Sequence, residues 1–398
     1  MHTSSPPGAT ATTHRVAVRA AVAPIVGRSS WLRQGRLRLC ETSLEIGYGL
    51  VRHSDVVRIL SVRAPPWWDE SMTQSFTPSL EMLWEVDAPR VVLFDRFGFR
   101  DAVSAGRWIS AVVVEEWGIP VDSCDRIVMS DRNALAWIRS GAEAYIVKWS
   151  VDPNRFARLA ALATLTNWLG EEGLPVSTPV ATSGGSLQVE VAGASVGLQR
   201  RIVGELLDVS NEIQVRAAGA ALARLHASLA HCPLDDELPS SATGQLPVEA
   251  RISDWLDSEQ STNVPERAVL ELRRLATSQS SQPLAAQLVH GDFRSANVLV
   301  VEDRIAAILD FEEARFDFPV VELAQAAVLL GTRFRDWGPV SEDVRQWLLA
   351  GYQSVRPLRD VELQRWDALV LWYSLMFIPA GDDPAGWRAA AMRLLQGQ

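Results

Sequence analysis

From about residue 82 onward the chain switches repeatedly between the two-residue period of a strand and the 3.6-residue turn of a helix. Residues 105–117 place Trp108, Ile109, Val112, Val113 and Trp117 on one helical face. Residues 126–129, 134–139 and 144–149 predict three strands, separated by the polar turns Ser130-Asp-Arg-Asn133 and Ser140-Gly-Ala-Glu143. In the last of these, alternation puts Tyr145 and Val147 on one face and Ile146 and Lys148 on the other. Residues 90–95, with Val91-Val-Leu-Phe94 at their centre, read as a further, buried strand. Asp152-Pro153 opens a helix that runs to about Leu169, and residues 187–191 with 195–200 predict a hairpin.

After Val209 the pattern becomes helical, over residues 212–229, 248–257, 266–277, 320–330, 342–352, 361–377 and 384–395. One stretch interrupts it: Leu288-Val-His290-Gly-Asp292-Phe-Arg-Ser-Ala-Asn297-Val-Leu-Val300, followed by Ile308-Leu-Asp310. Two short strands with polar ends would bring Asp292, Asn297 and Asp310 to one rim. The fold class predicted is α+β, with a small sheet-based lobe over residues 72–203 and a larger, mostly helical lobe over residues 204–398, and with the chemistry on loops between them.

Composition narrows the classes of function. The chain has 398 residues, enough for two lobes, and its formal net charge of −10 argues against nucleic acid as a partner. No apolar run reaches the roughly 18 residues of a membrane helix. Cys40, Cys124 and Cys232 are too scattered for a metal site, which fits reduced thiols in a cytoplasmic protein. Arg15, Arg19 and Arg28 break up the only Ala/Val-rich stretch that could imitate a secretion signal. Lysine occurs once, at Lys148, among 38 basic residues. Arginine replaces lysine on most solvated surfaces but does not replace a compact ammonium among phosphate oxygens, which makes Lys148 a functional candidate.

Asp292, Asn297 and Asp310 are the residue types that phosphoryl transfer needs: a carboxylate to orient and deprotonate a hydroxyl, with an amide oxygen and a second carboxylate to hold Mg2+ on nucleotide phosphates. Their order and spacing, together with Ile308-Leu-Asp310-Phe-Glu-Glu-Ala314, Pro319-Val-Val-Glu-Leu-Ala324, Tyr145-Ile-Val-Lys148, Gly173-Leu-Pro-Val-Ser-Thr-Pro179 and Leu222-Ala-Arg-Leu-His226, resemble the aminoglycoside phosphotransferase and choline-kinase-like family of the protein-kinase-like fold. The resemblance covers residues from about 105 to 398.

The resemblance implies that Asp292 is the catalytic base, that Asn297 and Asp310 bind Mg2+, and that Lys148 binds the α- and β-phosphates of ATP or GTP. Ser130, Arg132 and Asn133 form the candidate phosphate loop, and Gln199, Arg201 and Ile202 the connector beside the nucleotide base. Arg294 either steadies the γ-phosphate or faces solvent. His290 braces its loop, and His226 is a core histidine. Glu312 and Glu313 either extend the acidic site or lie on the solvated surface. Kinase-like folds hold the strand lysine with a helix glutamate, but residues 154–169 contain no acid and Leu162 falls near that place. Lys148 is left to pair with Asp310, with phosphate, or with an acid elsewhere.

The family's default acceptor is a hydroxyl of a small molecule such as a sugar or an aminoglycoside-like compound, and an acidic helical half suits a cationic one. A Ser/Thr hydroxyl of a peptide, or a nucleotide-binding pseudokinase role, are the alternatives.

Residues 1–71 carry nine arginines against five acids, whereas the remainder has 29 basic and 43 acidic residues. This break in composition, with Met72 directly after it, marks the segment as dispensable. A truncation beginning at Met72 is expected to fold and keep full activity, as read by thermal melting and turnover; loss of either would overturn that boundary.

Overall fold

The computed structural model describes residues 77–131, 133–234, 246–277 and 282–396. The boundary at residue 71 and the candidate Arg132 lie outside the described residues. In chain order the sheet region comprises β1 (Ser79–Met82), α1 (Pro89–Asp95), α2 (Ala102–Trp117), β2 (Ser123–Met129), β3 (Asn133–Ser140), β4 (Glu143–Ser150), α3 (Phe156–Glu171), β5 (Val189–Val191) and β6 (Ala194–Arg200). Its six strands run β1-β2-β3-β4-β6-β5, with β1 parallel to β2 and every other pair antiparallel.

The alternation in β4 sorts its side chains as the sequence predicts. Tyr145, Val147 and Trp149 enter an apolar core shared with α1 and α2, while Ile146 and Lys148 face a cleft on the other side. Aromatic rings fill the centre of that core: Phe99 lies 5.3 Å from Trp108 and Trp149 lies 6.0 Å from Trp108 between ring centroids. Helix α2 begins in a reciprocal capping box between Asp101 and Ser104 and ends at Gly118 in the left-handed region.

Residues 90–95 are helix α1, not the buried strand predicted. Pro89 occupies the first helical turn, where a missing N–H is harmless. Coiling the Val-Val-Leu-Phe run buries Val92 and Leu93 and leaves Val91 and Phe94 exposed, a split that a strand covered on both faces would not give.

The helical region contains β7 (Glu205–Leu206), α4 (Glu212–Leu229), α5 (Val248–Leu256), α6 (Glu266–Thr277), β8 (Gln287–Val289), β9 (Val298–Val301), β10 (Arg304–Ile308), β11 (Arg315–Asp317), α7 (Pro319–Leu329), α8 (Glu342–Gln353), α9 (Asp360–Met376) and α10 (Trp387–Leu394). The interrupting stretch thus holds three short strands rather than two, with a fourth, β11, just after it. β8 pairs with β11, and β9 sits between β10 and β7. The turn joining β9 to β10 is Glu302-Asp303, both at positive φ, the backbone of a type I′ hairpin made without glycine. No described helix is long and apolar enough to cross a membrane.

Helices α4 and α8 cross closely at two glycines. A Cβ on Gly219 would lie 2.1 Å from the Leu348 carbonyl oxygen, and one on Gly351 would lie 2.1 Å from that of Arg216. Because backbone, not a flexible side chain, would have to move, Gly351→Ala is expected to destabilise the protein by about 1–3 kcal/mol, measured by urea unfolding. An unchanged midpoint would mean that the helices can separate at no cost.

Candidate active site

The loop after β8 is held from below by one carboxylate. Glu322, on α7 and buried, accepts the backbone N–H of His290 at 3.0 Å and that of Gly291, and it also accepts from His226 Nε2 at 2.6 Å. His226 Nδ1 in turn accepts the Tyr352 hydroxyl at 2.8 Å. Burial alone would raise the Glu322 pKa, but the His226 bond, the nearby histidines and the Gly291 N–H outweigh it and hold it down to about 2. Gly291 has φ +85°, and a Cβ there would stand 2.2 Å from the Glu313 carbonyl oxygen, so the turn requires glycine.

His290 ties this loop to the segment after β10. The Asp292 N–H donates to His290 Nδ1 at 3.1 Å, which sets the tautomer, and Nε2–H donates to the Leu309 carbonyl at 2.8 Å. Its ring packs 4.5 Å from Phe311. The bracing expected of His290 and the core setting expected of His226 are thus visible in the hydrogen bonds.

Asp292 is 9% exposed. Its two carboxylate oxygens accept Arg294 Nε at 2.9 and 3.0 Å, and Oδ2 also accepts Asn297 Nδ2 at 2.8 Å. Burial raises its pKa to about 6, with Arg294 offsetting part of that rise. Arg294 is 3% exposed and lies 5.6 Å over the Trp337 ring. It therefore does not face solvent; it fixes the rotamer of the Asp292 carboxylate.

Asn297 uses its amide nitrogen on Asp292, which turns its amide oxygen to other uses, and its carbonyl accepts the Leu309 N–H at 2.8 Å. One residue on, Asp310 stands at φ 59° and ψ 72° with its side chain 45% exposed toward the cleft. An amide oxygen and a carboxylate are the hard donors Mg2+ takes, so this pair fits the metal that the fold implies.

Lys148 Nζ meets Asp310 Oδ1 at 3.0 Å and also Glu312. Desolvation pulls its pKa down, but the two carboxylates outweigh that and keep it charged. Glu312, with its side chain 12% exposed, is not on the solvated surface; it lines the cleft beside Asp310, as an extension of the acidic site. Besides Lys148 it accepts Asn133 Nδ2 at 2.6 and 2.8 Å and Arg155 Nη2 at 2.5 Å. Arg158 Nη2 donates to the Glu312 carbonyl at 2.8 Å and the Ala314 carbonyl at 2.5 Å.

A cleft of about 1140 Å³ lies between the sheet and the helical region. Lys148, Asn133, Gln199, Arg201, Ile202, Asn297 and Asp310 all line it, whereas Ser130, Asp292 and Arg294 do not. Ser130 is buried, its N–H and hydroxyl both on the Asn133 carbonyl, so it closes the turn instead of offering a phosphate contact. Asp292 lies behind Asn297. Sequence reasoning missed the grip of Glu322 and the clasp made by Glu312, Arg155 and Arg158. A lone acid inside the apolar run Val320–Leu323 was the available signal for the first; pairings 157 and 154 positions apart left none for the second.

A mixed sheet over a mostly helical region, with a lysine strand and an aspartate loop facing one cleft, defines a protein-kinase-like phosphotransferase. A family model described as "Phosphotransferase enzyme family" matches residues 129–358, more than half of the chain, and the chain belongs to that family: it is a kinase with an alcohol group as acceptor. Among curated proteins it is similar to homoserine kinase of Methylobacterium radiotolerans, 25% identical over 248 residues, 62% of this chain and 75% of the relative. The fold matches macrolide 2'-phosphotransferase of Brachybacterium faecium with TM-score 0.50 at 16% identity, covering 73% of this chain and 97% of that one. It also matches amicoumacin kinase in complex with AMP-PNP, Ca2+ and Ami, with TM-score 0.50 at 15% identity, covering 73% and 91%.

Removing the carboxylate at Glu322 leaves two backbone N–H groups and His226 without their acceptor inside the core. Glu322→Ala is expected to cost about 3–5 kcal/mol. Because the folded pKa is depressed, the contribution stands above about pH 4.5 and is lost as pH falls toward about 2. Urea unfolding at pH 7 and pH 3 checks this: a variant as stable as the parent at pH 7 would reject the assigned grip.

Proposed function

We propose that the protein transfers the γ-phosphoryl group of ATP, or of GTP, in the presence of Mg2+ to the hydroxyl of a small molecule. The observation that carries this reading is the buried Asp292 carboxylate, fixed by Arg294 and Asn297 behind a cleft that also holds the single lysine. The acceptor oxygen attacks the γ-phosphorus, the bond to the β-γ bridging oxygen breaks, and the hydroxyl proton passes to Asp292. A carboxylate with pKa about 6 is ionised at neutral pH and basic enough to take that proton. Arg294 holds the carboxylate in place, while Lys148 meets the phosphates. Gln199, Arg201 and Ile202 line the part of the cleft assigned to the base. Asn297 and Asp310 would hold the metal, which supplies charge neutralisation on the phosphate oxygens.

The relative named homoserine kinase favours a small primary alcohol bearing an amino group, so homoserine is the first acceptor to test. Nucleotide consumption with homoserine, aminoglycosides and Ser/Thr peptides, followed by mass spectrometry for added phosphate, separates these acceptors; phosphate on peptides alone would reject the small-molecule reading, and no nucleotide consumption would reject the kinase reading.

Asp292→Ala is expected to abolish transfer while leaving nucleotide affinity nearly intact, and Asp310→Ala to weaken nucleotide binding in the presence of Mg2+. In the parent, kcat/KM should fall tenfold per pH unit well below about pH 6, because protonated Asp292 cannot accept the hydroxyl proton. Full activity in Asp292→Ala, or a flat profile down to pH 4.5, would reject the assignment.

A further inference from the structure

Protein kinases hold the phosphate lysine with a glutamate of the helix that follows the lysine strand, and transfer requires that pair. Here the helix is α3, which carries no acid before Glu171 at its last turn. We propose that Glu312 takes over this task from the opposite wall of the cleft, as the positioning residue for Lys148; the inference rests on the kinase reading above.

Three observations support it. Lys148 meets two carboxylates, but only one is free to keep it. The Asp310 side chain is 45% exposed, and the kinase reading commits it to the metal, whereas the Glu312 side chain is 12% exposed and already engaged by Asn133 and Arg155. Next, the charge at the start of α3 is reversed. Arg155, just before it, donates to the Glu312 carboxylate, and Arg158, on its first turn, donates to the Glu312 and Ala314 carbonyls. The helix thus docks on the segment that carries the acid, instead of carrying the acid itself.

Finally, among the described residues the partners of the Glu312 side chain all come from the sheet region: Asn133 at the start of β3, Lys148 in β4 and Arg155 before α3. Glu312 itself follows Asp310 in the helical region. The lysine contact therefore spans the cleft and sets the spacing between the phosphate-binding ammonium and the metal-binding segment. A rotation of α3 alone would not release Lys148 from its carboxylate.

The test is a double-mutant cycle on nucleotide kinetics. Glu312→Gln keeps the shape and removes the charge. It is expected to raise the KM for the nucleotide at least tenfold and to lower kcat, with the acceptor KM within twofold of the parent. In Lys148→Ala the same substitution should have little further effect, because the contact it serves is already gone. Should Glu312→Gln fail to fold, Glu312→Asp, one methylene short, is read by the same split between nucleotide and acceptor KM and should raise the former about threefold.

A nucleotide KM unchanged in the foldable variant overturns the proposal, as does full additivity with Lys148→Ala. Nucleotide consumption by the parent, run in parallel, separates the two failures. No transfer by the parent rejects the kinase reading, whereas transfer by the parent with a normal nucleotide KM in the Glu312 variant rejects the role of Glu312 alone.

Discussion

The active-site loop depends on the buried carboxylate of Glu322. Two consecutive backbone N–H groups, those of His290 and Gly291, point at it, and nothing in a loop pays for orphaned donors in a dry interior except an acceptor placed beneath them. With the backbone fixed there, His290 can donate to the Leu309 carbonyl and Asn297 can accept from the Leu309 N–H. Two chain segments are thereby registered to each other before any ligand arrives, which is the form of preorganisation that electrostatic catalysis needs.

The same logic separates the roles of the buried acids. Glu322 and Glu312 are surrounded by donors and cations that outweigh their desolvation, so both stay ionised and serve as fixed anions. Asp292 has one cation and one amide, too little to offset its burial, and its pKa rises. Similar carboxyl groups in similarly dry settings become two fixed anions and one carboxyl of raised pKa through the number of their partners. The preference for arginine fits this division, since its fork can hold both oxygens of Asp292 or two carbonyls at once, and Lys148 is kept where a compact ammonium faces the cleft.

What the sequence disclosed follows the range of the interaction. Helices α4 and α6 begin and end where periodicity predicts them, because amphipathic spacing and caps are local. The alternation of β4 placed Lys148 on the cleft face for the same reason. Helix α1 was misread because four consecutive apolar residues fit a buried strand and a helix equally, and Pro89 was the deciding residue. The β9–β10 hairpin was incompletely read because its turn uses Glu302 and Asp303 where glycine or asparagine is the usual sign. The catalytic and metal candidates were legible as a spaced motif, and the pairing of Lys148 with Asp310 was among the expected ones, whereas its contact with Glu312 and the burial of Arg294 arise from contacts between distant segments.

The backbone at Asp310 explains how two carboxylates reach one ammonium. In an extended strand residues 310 and 312 would share a face about 7 Å apart. Instead Asp310 turns into the left-handed region and residues 311–313 form a 3-10 turn, which shortens the rise to about 2 Å per residue. A non-glycine residue at φ 59° costs on the order of 1–3 kcal/mol. The bonds from Ile308 N–H to the Pro175 carbonyl, from Leu309 N–H to Asn297 and from Ala314 N–H to Phe311 hold both sides of the turn and over-determine it. Strain at this residue is therefore sustained by ordinary backbone hydrogen bonds, and its product is a lysine, a metal-type carboxylate and a structural carboxylate within one contact sphere.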